Sequence, residues 1–162
     1  MAIVKSSVYL DKSLLPEYQK WKSPEKELGI WSYVNMRADY DLAAAFSKLF
    51  WPDFVEIDQC VLLAEKYDPK RFKEWMQRYD NDFRAVESIV NHVHIYDLFM
   101  NSPNEEVYSL ELFEYLAQVL MRCWKYALAD IFPDKQFTFE YKTEPDAYGP
   151  TITFYQSWST TR

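Results

Sequence analysis

The chain has 162 residues, thirty of them Phe, Tyr or Trp, with only two glycines and a net charge of −7. An apolar share of 49% at this length suits one folded domain, residues 1–162, with a sizeable core, and excludes a mostly disordered chain. The acidic balance argues against nucleic acid and anionic membrane as partners, which require basic patches, and Gly29 and Gly149 are too few for a glycine-rich phosphate loop.

Residues 1–38 hold Pro16, Pro24 and Gly29 among Tyr18, Trp21, Trp31 and Tyr33. They read as an irregular segment wrapping over the core, with one short helix or strand inside it. Asp41 to Phe50 is a helix, rich in alanine, capped by Asp39 or Asp41 and ended by Pro52. Residues 54–66 are extended. Val55 and Ile57 alternate with Glu56 and Asp58, and the apolar run Cys60 to Leu63 follows. Asp58-Gln59 is either a two-residue hairpin turn, in which Gln fits poorly, or the bulge of a single strand.

Asp68-Pro69 pairs a capping side chain with proline at the first helical position, and predicts a helix to about Arg78. Asn81-Asp82 starts a further helix, expected to run to about Phe99. Its core stripe would be Val86, Ile89, Val90, Val93 and Tyr96, and its wet line Arg84, Glu87, Asn91 and His94. Asn101 to Tyr108 is a loop.

Residues 109–131 carry polar side chains at Glu111, Glu114, Gln118, Arg122 and Lys125, a narrow wet line on an otherwise apolar helix. That pattern marks a central core helix, stopped by Pro133. Residues 136–157 form a hairpin, with Phe137, Phe139 and Tyr141 alternating with polar residues before Thr151 to Tyr155. The expected fold class is therefore α+β: about four helices around helix 109–131, packed on antiparallel strands.

Chemistry-bearing residues are sparse. His92 and His94 are the only histidines. On the helix expected here they lie about 200° apart and do not share a metal ion, whereas on a strand they would point to one side. Asp97 follows three residues after His94 and would serve a helix-surface contact, or general acid–base chemistry with His92 and His94 in an enzymatic reading. Glu111 and Glu114 suit the first turn of a helix for its dipole alone. No nucleophile elbow, zinc-protease, P-loop or dinucleotide motif is present. Cys60 and Cys123 sit in apolar runs and belong to no CxxC pair. No metal and no cofactor is expected.

Residues 1–81 carry a net −1 and residues 82–162 a net −6. Two candidate contact surfaces follow. One is the acidic and aromatic loop set Glu105, Glu106, Tyr108, Glu144, Asp146 and Tyr148; the other is Trp21 with Trp31. Burial in the core is the competing expectation for the tryptophans. With no secretion signal and no run long enough to span a bilayer, a cytoplasmic protein is expected.

The favoured function is a protein-binding module, an immunity- or antitoxin-type inhibitor of a basic partner. The alternatives are an enzyme or small-molecule binder with an aromatic pocket between the C-terminal hairpin and the helices, using His92, His94 and Asp97, and a homodimer that covers exposed aromatics.

Overall fold

The computed structural model describes residues 8–22, 28–101, 108–143 and 149–157. Among them are six α-helices and five strands, in the order α1 (Pro16–Trp21), α2 (Ile30–Arg37), α3 (Tyr40–Phe50), β1 (Phe54–Ile57), β2 (Cys60–Leu63), α4 (Pro69–Arg78), α5 (Phe83–Val90), β3 (Val93–His94), α6 (Leu110–Ile131), β4 (Phe137–Lys142) and β5 (Thr151–Gln156). The fold is α+β. The two helices beyond the expected four are α1 and α2, in the segment expected to be irregular. Tyr18 holds α1 down by donating its hydroxyl to the Leu28 carbonyl at 2.9 Å, and its ring meets those of Trp21 and Tyr33.

Local chemistry sets most boundaries. The Asp39 carboxylate accepts from the Leu42 N–H and starts α3. Asp68 and Asp82 cap α4 and α5 in the same way, through Arg71 and Ala85. Residues 54–63 form the hairpin rather than a single bulged strand. Asp58 and Gln59 both take positive φ, 46° and 71°, the conformation that lets a two-residue turn follow the strand twist.

Two antiparallel sheets result, β1-β2 and β3-β5-β4. In the C-terminal hairpin Phe137 lies opposite Gln156 and Lys142 opposite Thr151. Helix α6 packs on this sheet through Phe113, Leu120, Trp124 and Leu128, and the Trp124 indole N–H donates to the Leu49 carbonyl at the end of α3, at 2.7 Å. Helix α6 is exposed at its two terminal residues, Leu110 and Ile131, and at Tyr126. All four β2 residues are buried because both faces are covered: Val61 and Leu63 join the α6 core, while Cys60 and Leu62 join Phe72 and Val86 of the α4–α5 layer.

Helix α5 corrects the expected span to Phe99, for it ends at Val90. Beyond it, His94 and Val93 pair with Thr151 and Ile152, and the Ile95 N–H donates to the Pro150 carbonyl. The expected wet line fails in its middle: Arg84 is exposed and His94 half-buried, but Glu87 and Asn91 are 0% exposed. Their side chains lie between the sheets. Asn91 accepts from Leu63 N–H and donates to the carbonyls of Val61 and Phe154. Glu87 accepts from Val61 N–H and from both nitrogens of Gln156. Helix α5 thus supplies, by side chains, the pairing that β2 and β5 do not give each other.

Candidate functional site

Because β3 is extended, His92 and His94 face one another across a single residue. Their Nε2 atoms are 3.2 Å apart and their ring centroids 4.8 Å, with the rings at 75°. Val93 between them is buried in the opposite direction, in the α6 core. The helical placement that separated the two histidines is corrected by this strand. Burial lowers the His92 pKa, with His94, Lys142 and Lys66 adding to the shift and Asp97 opposing it. Asp97 lies on a short 3-10 turn, Tyr96–Leu98, and is exposed. His92 lines a small cavity of about 170 Å³ together with Lys66, Asp68, Arg71 and Trp75.

A larger cavity, about 410 Å³, opens between α3, β2, β3 and α6. Leu49, Leu63, Val93, Leu98 and Trp124 give it an apolar lining, and Lys48, Asp53, Glu65 and Lys66 its charged residues. Lys48 and Asp53 pair at 2.7 Å. The volume is in the range of small-molecule pockets. The histidines do not line it. Beneath the C-terminal hairpin, where an aromatic pocket was expected, Phe154 is fully buried against Phe54, Phe137, Phe139 and Trp124, with centroids 5.4 to 6.2 Å away.

The third feature is a surface. Helix α2 has no buried residue. Trp31 on it is 91% exposed and Met36 67%, and Tyr40 at the start of α3 is 95% exposed. Val34 and Leu42 are exposed beside them. Of the two tryptophans singled out from sequence, Trp21 is half-buried, its ring 5.3 Å from that of Tyr33, and Trp31 stands in solvent. The sequence reading missed Met36 and Tyr40; the signal was a short helix with no consistent apolar stripe.

Of the acidic and aromatic loop set, Glu105, Glu106, Glu144, Asp146 and Tyr148 lie outside the described residues. Tyr108 packs half-buried against the α6 core. The Glu111 carboxyl is held below its ordinary range chiefly by its own backbone N–H in the first turn of α6, in keeping with a helix-terminal role. Cys60 and Cys123 are both free thiols. Among the described residues no helix is long and apolar enough to cross a membrane. No protein-family model, curated protein or solved structure matches the chain.

Proposed function

We propose that this protein is a protein-binding module whose contact surface is the α2–α3 corner. The observation that carries the reading is the near-complete exposure of Trp31 and Tyr40, 91% and 95%, on consecutive helices. Large aromatics in water expose area that binding would bury, and tryptophan and tyrosine are enriched where binding energy concentrates. The net charge of −7 supports a basic partner, since it would speed encounter with one and disfavour acidic competitors. An inhibitor of a basic protein, of the immunity or antitoxin type, is the form of the reading that charge favours.

The test is affinity capture from source-cell extract with the wild type and with a Trp31→Ala/Tyr40→Ala variant. Thermal unfolding serves as the folding control. A basic protein retained in equal stoichiometry by the wild type and lost by the equally stable variant is the expected result. Equal retention by both, or no partner with either, overturns the reading.

A second reading, a binder of small apolar ligands, rests on the 410 Å³ cavity beside Trp124. Quenching of tryptophan fluorescence by an apolar ligand, abolished by Leu63→Trp filling of the cavity, would favour it. His92, His94 and Asp97 as acid–base residues of an enzyme would act at a different place, around β3.

A further inference from the structure

From the 3.2 Å approach of the Nε2 atoms of His94 on β3 and of His92, the residue just before that strand, we infer that these two imidazoles form a chelating clip for a divalent transition-metal ion of the zinc, nickel or copper type. The inference is independent of the α2–α3 surface.

The distance is the first argument. Imidazole nitrogens bind zinc at about 2.0–2.1 Å, and two such ligands at a tetrahedral angle are about 3.3 Å apart. The observed separation matches that bite without movement of the chain. The backbone is the second argument. His94 is held in register opposite Thr151, and Val93 between the histidines is anchored opposite Ile152 in the core. The two rings therefore leave one face of a strand whose position is set by the sheet, which is the preorganisation a chelate needs.

Without metal, the contact is a hydrogen bond in which one Nε2–H donates to the other ring's Nε2. An ion replaces that proton: the donor ring carries its hydrogen on Nδ1 instead, and both Nε2 lone pairs turn to the metal. Among the described residues no group of three or more His, Cys, Asp or Glu side chains is placed to hold an ion. Among the described residues the clip is therefore bidentate, and water or an incoming ligand would complete the ion's coordination. Ligand type favours nickel, copper and zinc over magnesium or calcium, which take oxygen donors.

The experiment is calorimetric titration of the full chain, free of affinity tags, with Ni²⁺ and Zn²⁺. The wild type is compared with His92→Gln, His94→Gln and the double variant, each checked by circular dichroism. One ion per chain is expected, with affinity falling about ten-fold or more in each single variant, at least the loss that removing an outer-shell partner brings. Failure of the wild type to bind either ion, or equal affinity in the double variant, overturns the inference. Amide broadening by Ni²⁺ in the wild type tests it without any substitution. It should centre on residues 92–94 and on Thr151 and Ile152, and broadening centred elsewhere sinks the site.

Discussion

Glu87 takes two hydrogen bonds from one residue: the backbone N–H of Gln156 reaches Oε2 at 2.6 Å, and its side-chain amide reaches Oε1 at 2.5 Å. The same amide nitrogen also donates to the Gln59 carbonyl in the β1–β2 turn, and Oε1 accepts from Val61 N–H at 2.7 Å. One carboxyl on α5 therefore fastens the end of β5 to β2. These partners are all neutral donors, so its burial is offset by hydrogen bonds rather than by a bonded cation.

That arrangement gives stability a definite pH dependence. Burial raises the Glu87 pKa above the ordinary 4.5, although the bonds from Gln156 and Val61 pull it back in part. As pH rises, the unfolded chain loses this proton first, near 4.5, while the native state still holds it. Native protein then binds more protons than unfolded protein, and the sign of the linkage makes stability fall with rising pH until the raised value is passed. The loss is about 1.4 kcal/mol for each unit by which the carboxyl is raised. Asp11, Glu17, Glu111 and Glu140 have lowered pKa values and act in the opposite sense, so the urea midpoint of the wild type, measured from about pH 4 to about pH 8, should decline relative to that of Glu87→Gln. In Glu87→Gln this component should vanish, leaving a variant about 1–3 kcal/mol less stable at low pH, because its amide NH₂ faces a donor. A wild-type profile parallel to that of Glu87→Gln over the same interval would contradict the assignment.

Asn91 should be less replaceable still. Its amide satisfies three backbone groups in two sheets, Leu63 N–H, Val61 C=O and Phe154 C=O, at 2.9 to 3.2 Å. Asn91→Ala leaves all three unpaired in the core, at a cost of about 3 kcal/mol or more. Asn91→Asp keeps the acceptor for Leu63 but sets a second oxygen against two carbonyls, so it should be the worse of the two near neutral pH. Chemical denaturation of both variants decides the order.

These two residues also show where sequence reading fails. The caps Asp39, Asp68 and Asp82 and the stops at Pro52 and Pro133 act within a few residues, and the helices they bound were legible for that reason. Arg84, Glu87, Asn91 and His94 follow at spacings of three and four, which is the spacing of a solvated helix face. It is equally the spacing of a buried ladder of side chains. What distinguishes the two is the presence of strand edges 26 to 69 residues away in the chain, and periodicity carries no information about those. The histidine pair was lost with the same helix: carried on to Phe99, it sets His92 and His94 on different faces, whereas pairing with a β5 some sixty residues downstream makes β3 a strand. Trp31, offered from sequence both as a contact residue and as a core residue, shows what composition leaves open. A tryptophan is buried on average, and only the lack of a covering element over this side of α2, among the described residues, leaves it in solvent.

The two thiols should differ in reactivity. Cys60 is completely buried, its Sγ donating weakly to the Phe83 carbonyl at 3.9 Å. Burial, with Glu87 and Asp58 nearby, pushes its pKa up to about 12. Almost no thiolate forms at ordinary pH, so Cys60 is protected both electronically and sterically. Cys123 is half-buried, and burial raises its pKa too. Alkylation of native protein followed by peptide mapping should label Cys123 slowly and Cys60 only on unfolding. Labelling of Cys60 at the faster rate under native conditions would require β2 to open locally.

The chain's two glycines should respond oppositely to substitution. Gly149 has φ +69°, and a Cβ there would stand 2.7 Å from Cε2 of Tyr96. That ring has little room to retreat, since its centroid is 4.4 Å from that of Phe113 in the α6 core. Gly149→Ala therefore incurs the left-handed backbone cost of about 1–2 kcal/mol, with the displacement of Tyr96 added to it. It should also loosen the start of β5, where Pro150 O receives the Ile95 N–H. Gly29 is the N-cap of α2, with φ −86°, and a Cβ at this position would meet no atom within 4 Å. Gly29→Ser supplies the capping hydroxyl that this helix lacks and should be neutral or stabilising by a few tenths of a kcal/mol. The unfolding temperature should fall in Gly149→Ala and hold or rise slightly in Gly29→Ser, and amide exchange at Ile152 should quicken only in Gly149→Ala.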